Sequence, residues 1–148
     1  MNTKDNRYSK IEGILHNVPK LKIEIDNLQL DLEEVEEIMG IHGQSGNVAA
    51  GSSTYAFNSA VENEVIDRDE NLEERKRKII ASISKKERRL KRIENNLSLL
   101  SEKQMLLVEL KYFKDYPNSR VCDILDISES AMSKRRKNAI IKLMSVSW

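Results

Sequence analysis

Residues 101–143 read SEKQMLLVELKYFKDYPNSRVCDILDISESAMSKRRKNAIIKL, and this stretch decides the fold of the chain. It predicts three short helices. Ser101 and Gln104 have the spacing of a capping box, which begins the first helix, and the turn-forming residues 115–118 end it. Ser119 is expected to cap a second helix, and Ser128 is a good N-cap for the third.

The apolar side chains of these helices predict one shared core. The second helix should span residues 120–125, and Asp126 and Ile127 should form the tight turn that follows it. The expected core residues are Met105, Leu106, Val108, Leu110, Tyr112 and Phe113 in the first helix, Val121, Cys122, Ile124 and Leu125 in the second, and Met132, Ala139, Ile140 and Leu143 in the third.

A short helix, a turn with a buried isoleucine and a serine-capped helix with a basic outer face are the parts of a helix-turn-helix. In this arrangement the last helix lies in the major groove of double-stranded DNA and its first two turns reach base edges. Ser130, Ser133 and Lys134 are the candidates for base contact, and the neighbouring basic residues suit phosphates. Arg136 falls nearer the core side. The full set of candidate DNA-binding residues is Arg120, Ser128, Glu129, Ser130, Ser133, Lys134, Arg135, Arg136 and Lys137.

The same stretch resembles region 4 of bacterial sigma-70 factors. The matching positions are Leu110-Lys111-Tyr112, Ile127-Ser128 and the ending from Ala139 to Leu143. Two positions depart from that pattern, because Asp126 stands where the family has a glycine and Val121-Cys122-Asp123 replaces Glu-Ile-Ala.

A region-4-like end behind a coiled coil is similar to the phage late-gene transcriptional regulators of the ArpU and RinA type. The resemblance implies a phage or prophage protein in the cytoplasm of a bacterial host cell. It also implies DNA as a partner, with RNA polymerase as a second candidate.

The first hundred residues predict two coiled-coil helices, over 1–39 and 61–100, joined by a flexible Gly/Ser-rich linker over 40–60. Apolar residues of the first helix recur at alternating spacings of three and four, and those of the second return on a heptad frame that Lys76 and Lys86 interrupt. These seam positions are Ile11, Ile14, Val18, Leu21, Ile25, Leu28, Leu32, Val35 and Met39, then Leu72, Ile79, Ile83, Leu90, Ile93, Leu97 and Leu100. Ser9 and Glu12 suggest a capping box, and Pro19 predicts either a kink or a helix that begins there. The fold class is therefore all-α, with a helix-turn-helix domain over 101–148.

Charge is unevenly distributed, although the net charge of the 148 residues is only +1. Residues 75–92 hold ten basic side chains and one acidic, a net charge of +9, whereas residues 1–39 hold five basic and nine acidic, net −4. An antiparallel hairpin would bring Asp26 and Asp31 toward Arg75, Lys76 and Arg77. The basic block is either a salt-bridged coiled-coil face or a phosphate-binding face. The seams pair within one chain or between two copies, and a homodimer or higher homo-oligomer is expected.

Several function classes have little support in the sequence. Cys122 is the only cysteine and suits a buried small hydrophobe. Two distant histidines, no activated nucleophile and a glycine-rich stretch without a GK[ST] ending argue against an enzyme, a metal site, a cofactor and a P-loop. No apolar run is long enough for a membrane span. The alternatives are a phage small terminase subunit, in which the DNA-binding end tends to come first, and a coiled-coil interaction scaffold.

Overall fold

The computed structural model describes residues 3–45 and 58–148, and the regular elements of this part of the chain are all helices, without a strand. The all-α prediction is therefore confirmed. The helices are α1 (Thr3–Ser45), α2 (Asn58–Leu97), α3 (Glu102–Val108), α4 (Asn118–Leu125) and α5 (Glu129–Leu143), and α3 continues directly into a π-helical turn, Glu109–Phe113. None of the described helices is long and apolar enough to cross a membrane.

The described residues pack as two compact units. One contains Met1–Ile23 together with Arg88–Trp148, and the other contains Glu24–Glu87. The start of α1 and the end of α2 thus belong with the three short helices. This grouping differs from a division at residue 101, because the first turns of α1 contact the short helices directly, as described below.

In the unit Glu24–Glu87, α1 and α2 run antiparallel. Val35, Ile79 and Ile83 are buried against one another, and seam residues predicted from the sequence flank them. The flanking residues are Leu28, Leu32, Met39 and Leu72. This burial is the main source of stability of the pair, since a long helix in water depends on tertiary packing of its apolar face.

Two ion pairs show the register of the pair. Lys76 Nζ lies 3.4 Å from Glu36 Oε1, and Lys86 Nζ lies 2.8 Å from Glu24 Oε2. Both lysines occupy seam positions, and each extends to an acidic residue beside the opposite seam. The prediction that Asp26 and Asp31 face this basic region was therefore wrong.

Helix α1 differs from its prediction at both ends. It begins at Thr3, so Ser9 lies inside the helix and is not a cap. Pro19 also lies inside α1, which excludes a helix that begins at Pro19. The linker was predicted over 40–60. Helix α1 instead continues through Gly40 to Ser45, and α2 already covers the last three linker positions, 58–60. The remaining linker positions, 46–57, lie outside the described residues.

In the other unit, the short helices enclose a core of Leu107, Leu110, Val121, Cys122 and Met132. All four apolar residues predicted for the last helix are buried. Two of the core residues predicted for the first and second short helices were wrong. Leu106 is 45% exposed while its neighbour Leu107 is in the core, and Ile124 is 50% exposed. Helix α4 also begins at Asn118 with Pro117 as its N-cap, so Ser119 is not the cap.

The turn between α4 and α5 depends on a left-handed residue. Asp126 has φ 51° and ψ 51°. Its amide donates to the Asp123 carbonyl at 3.4 Å, and the Ile127 amide donates to the Cys122 carbonyl at 3.1 Å. Together with the packing of Ile127 on the core, these bonds form a Schellman motif that ends α4. Glycine is the residue most often found at this position of the motif, and aspartate is one of the few others that tolerate it.

Substitution of Asp126 tests this turn. We expect Asp126→Gly to be more stable than Asp126→Ala by about 1 kcal/mol in free energy of unfolding, because only alanine has a Cβ that opposes the left-handed conformation. Both variants remove the same charge, so their difference isolates the backbone effect. Chemical denaturation of the two variants provides the measurement, and equal stabilities would contradict the assignment.

Candidate nucleic-acid interface

Helix α5 is held in place from its first residue. Ser128 has extended backbone angles, and its Oγ accepts a hydrogen bond from the Ala131 amide at 3.1 Å, which confirms the predicted N-cap. Glu129 follows in the first turn, where a negative charge compensates the helix dipole. One turn on, Met132 is buried and its Sδ lies 3.6 Å from Cys122 Sγ of α4. Cap and core contact together fix which face of α5 is outward.

The outward face of α5 carries four of the nine candidate residues. Ser130, Lys134 and Lys137 are exposed at spacings of four and three, which places them in one row on the helix surface. Ser133 is also exposed beside this row, and Arg135 is half-buried. Every basic side chain of the row is therefore accessible to a ligand.

Sequence reasoning missed two residues on the same face. Asn138 is exposed one turn beyond Lys134, and Ile141 is 50% exposed one turn beyond Lys137. An asparagine can read adenine through two hydrogen bonds, and an aliphatic side chain can contact the methyl group of thymine. Their spacing from Ser130 could have identified both, but the prediction considered only the first two to three turns.

Arg120 lies on α4, away from this row. Its guanidinium stacks over the ring of Tyr116 at 3.9 Å from the centroid, and Lys114 Nζ lies 5.9 Å from the same centroid. Arg120 is exposed, and the ring restricts its orientation through a cation–π contact. The α4 side of the interface thus has an ordered positive charge, and Lys114 adds a second charge that the sequence prediction did not include.

Arg136 faces away from the outward row, toward α1. Its Nε lies 3.9 Å from Glu12 Oε1. Burial raises the pKa of the nearby Tyr8, and the positive charge of Arg136 partly opposes that rise. Within the described part of the chain, this Nε is buried and has no hydrogen-bond partner. We therefore remove Arg136 from the candidate phosphate contacts, because its charge is directed at an acidic residue of its own unit.

Glu12 also joins α1 to the π-helical turn. The Tyr112 hydroxyl donates to Glu12 Oε1 at 2.7 Å, and the His16 ring meets the Tyr112 ring edge-on at 4.8 Å. Burial and then the bond to Glu12 raise the pKa of Tyr112, so the phenol remains a protonated donor. A single carboxylate thus contacts both Tyr112 and Arg136 of α5. We call Tyr8, Glu12, Tyr112 and Arg136 the Glu12 cluster.

The described residues contain no group of His, Cys, Asp and Glu side chains that could hold a metal ion. Cys122 is buried, as predicted. Comparison of the chain with protein-family models, with curated proteins and with solved structures finds no match.

The Glu12 cluster provides a test of how α5 is supported. Glu12→Ala removes the acceptor of the Tyr112 hydroxyl and the counter-charge of the partly buried Arg136 guanidinium, so we expect a loss of about 1–3 kcal/mol in free energy of unfolding. Glu37→Ala removes the same group from an exposed position of the same helix and should change stability by less than about 0.5 kcal/mol. Thermal unfolding of both variants measures the difference. Equal melting temperatures would show that the cluster does not support the fold.

Proposed function

We propose that this protein is a sequence-specific DNA-binding transcriptional regulator, in which α4, its turn and α5 form a helix-turn-helix and α5 enters the major groove. The observation that carries the proposal is the outward row of α5. It is exposed and basic, and it lies on a helix whose opposite face is buried in the core. A helix that only packed would not need both Lys134 and Lys137 in one exposed row.

The residues of the interface have separate roles in this proposal. Ser130, Ser133 and Lys134 read base edges from the first two turns of α5, and Asn138 and Ile141 extend that contact. Arg120, Arg135 and Lys137 bind phosphates and set the register on the duplex, and Ser128 and Glu129 fix the start of the helix. When α5 lies in the groove in this way, the backbone amides at its N-terminus also approach the DNA backbone.

The resemblance to sigma-factor region 4 supports the assignment to transcription. One of its two departures is Asp126, where that family has a glycine. The left-handed backbone at Asp126 is the conformation for which a glycine is favoured, so the substitution is compatible with the same turn. We infer that the protein is a phage or prophage regulator acting in the bacterial cytoplasm, with RNA polymerase as a second partner, and that the α1–α2 pair is a coiled coil.

Lys134→Ala tests the proposed base contact. We expect the variant to fold normally, because Lys134 is exposed, and to lose about 1–3 kcal/mol of discrimination between a preferred duplex and a mixed-sequence duplex. The preferred duplex is first selected from a random pool with the wild-type protein, and affinities are then measured by fluorescence anisotropy. Lys103→Ala, an exposed lysine on α3, is the control.

Two outcomes would contradict this role of Lys134. An unchanged preference would remove Lys134 from the interface, and a lowered melting temperature would assign it to the fold. Failure of the wild-type protein to enrich any sequence would contradict the proposed function itself.

We further propose that the regulator is a homodimer, because one reader of this size buries only about 600–1,000 Å² on DNA and two copies bind far more tightly. The apolar seam residues of α1 and α2 pack against each other within one chain, so another surface must join the two copies. Leu30 and Ile80 are exposed at the same level of the α1–α2 pair, midway between its two ion pairs. They are the candidates for this surface.

Light scattering of the purified protein tests the dimer. We expect a dimeric mass for the wild-type chain and a monomeric mass for Leu30→Glu, since a charge in an apolar interface is unfavourable. A wild-type monomer at micromolar concentration would contradict the dimer, and an unaffected dimer in the variant would place the interface elsewhere.

A further inference from the structure

The basic block 75–92 has more charge than the ion pairs of the structure use. Lys76 and Lys86 pair across to α1, Lys78 pairs with Glu74 on its own helix, and Arg88 also has a partner. The other six basic side chains are exposed, and none has an ion pair or hydrogen bond with the described residues. These six are Arg75, Arg77, Lys85, Arg89, Lys91 and Arg92. Pairing within the fold therefore does not account for the block.

Two of these arginines form a row in the unit that contains α5. Arg89, Arg92 and Asn96 are spaced by three and four residues, so they share one flank of α2. The adjacent seam residues Ile93 and Leu97 are buried and Asn96 is half-buried, whereas Arg89 and Arg92 are exposed on this flank. Exposed arginines on a rigid helix are well suited to phosphate, because guanidinium is always charged and binds phosphate oxygens in a bidentate manner.

The same row lies beside the end of α5. Asn96 Nδ2 donates a hydrogen bond to the Ser147 carbonyl at 3.0 Å, and Ser147 follows α5 by four residues. Arg92 is one turn before Asn96 on α2. Leu143 lies nine positions beyond Lys134 on α5, which is a rise of about 13.5 Å. The arginine row and the outward row of α5 are thus close enough for one duplex to contact both, since one turn of DNA spans about 34 Å.

We propose that Arg89 and Arg92 form a second DNA contact, which binds backbone phosphates next to the α5 site without reading sequence. The proposal rests on the proposed function, since it extends the contact of the same protein with the same duplex. It assigns α2 a role in affinity and leaves sequence discrimination to α5. Binding would become more dependent on salt, because each phosphate that is neutralised releases condensed counterions.

The test uses the full-length chain and a labelled mixed-sequence duplex of 30 base pairs. We expect Arg89→Gln/Arg92→Gln to lower the magnitude of the slope of log affinity against log salt by about 1.8, or about 0.9 for each lost phosphate contact. Between 50 and 200 mM salt, the double variant should then lose about tenfold less affinity than the wild type. Its melting temperature should be unchanged because both side chains are exposed.

Arg75→Gln/Arg77→Gln is the matched control, since it removes two exposed arginines from an earlier part of the same helix. A normal slope in this control, together with a reduced slope in the row variant, would support the proposal. An equal reduction in both variants would overturn it, because total charge would then be responsible. An unchanged slope in the row variant would overturn the second contact and leave the proposed function standing. No binding of the wild type to any duplex would overturn both.

Discussion

Burial of one face of α5 is the constraint on which the rest of the unit depends. Met132, Ala139, Ile140 and Leu143 are all essentially inaccessible to solvent, so rotation of α5 about its axis would expose apolar surface. Each fully buried aliphatic side chain contributes about 1.5–3 kcal/mol, which makes such a rotation costly. Because this core fixes the inner face, it also fixes which polar residues point outward. The candidate interface is therefore a consequence of packing on the opposite side of the same helix.

The Glu12 cluster extends this constraint to the N-terminal part of the chain. A carboxylate on α1 accepts from Tyr112 and lies beside Arg136 of α5, and Arg7 of α1 donates to the Val146 carbonyl at 3.1 Å. Polar contacts are directional, so they fix the position of α1 more narrowly than apolar packing does. The start of a long helix has thereby become part of the unit that holds α5. Such a grouping links residues more than a hundred positions apart.

Local signals in the sequence were sufficient for much of this structure, and contacts between distant residues account for what they missed. Ser101 and Ser128 were predicted as caps because a cap depends on four neighbouring residues. The capping box at Ser9 failed because α1 is extended to Thr3 by residues that pack on the distant C-terminal helices.

The partners of Lys76 and Lys86 were missed because an antiparallel pair of heptad seams accepts more than one register with similar apolar contacts. In the observed register Lys76 meets Glu36 and Lys86 meets Glu24. On α5, the outward face followed from helical spacing, whereas the direction of Arg136 depended on Glu12.

The basic residues of α2 fall into two groups, those at seam positions and those on the outer surface. Lys76 and Lys86 occupy seam positions, where a charge has to find a partner because it is partly removed from water. Arg89 and Arg92 lie on the outer flank, where water solvates them and no partner is required. The solvent-exposed charges of these two arginines retain their long-range electrostatic field. A net charge near zero for the whole chain does not cancel that field locally. A helix with both kinds can therefore stabilise a helical pair on one side and attract a polyanion on the other. Basic and acidic residues are unevenly distributed along the sequence, and the average charge of +1 is for that reason a poor guide to the partners of the protein.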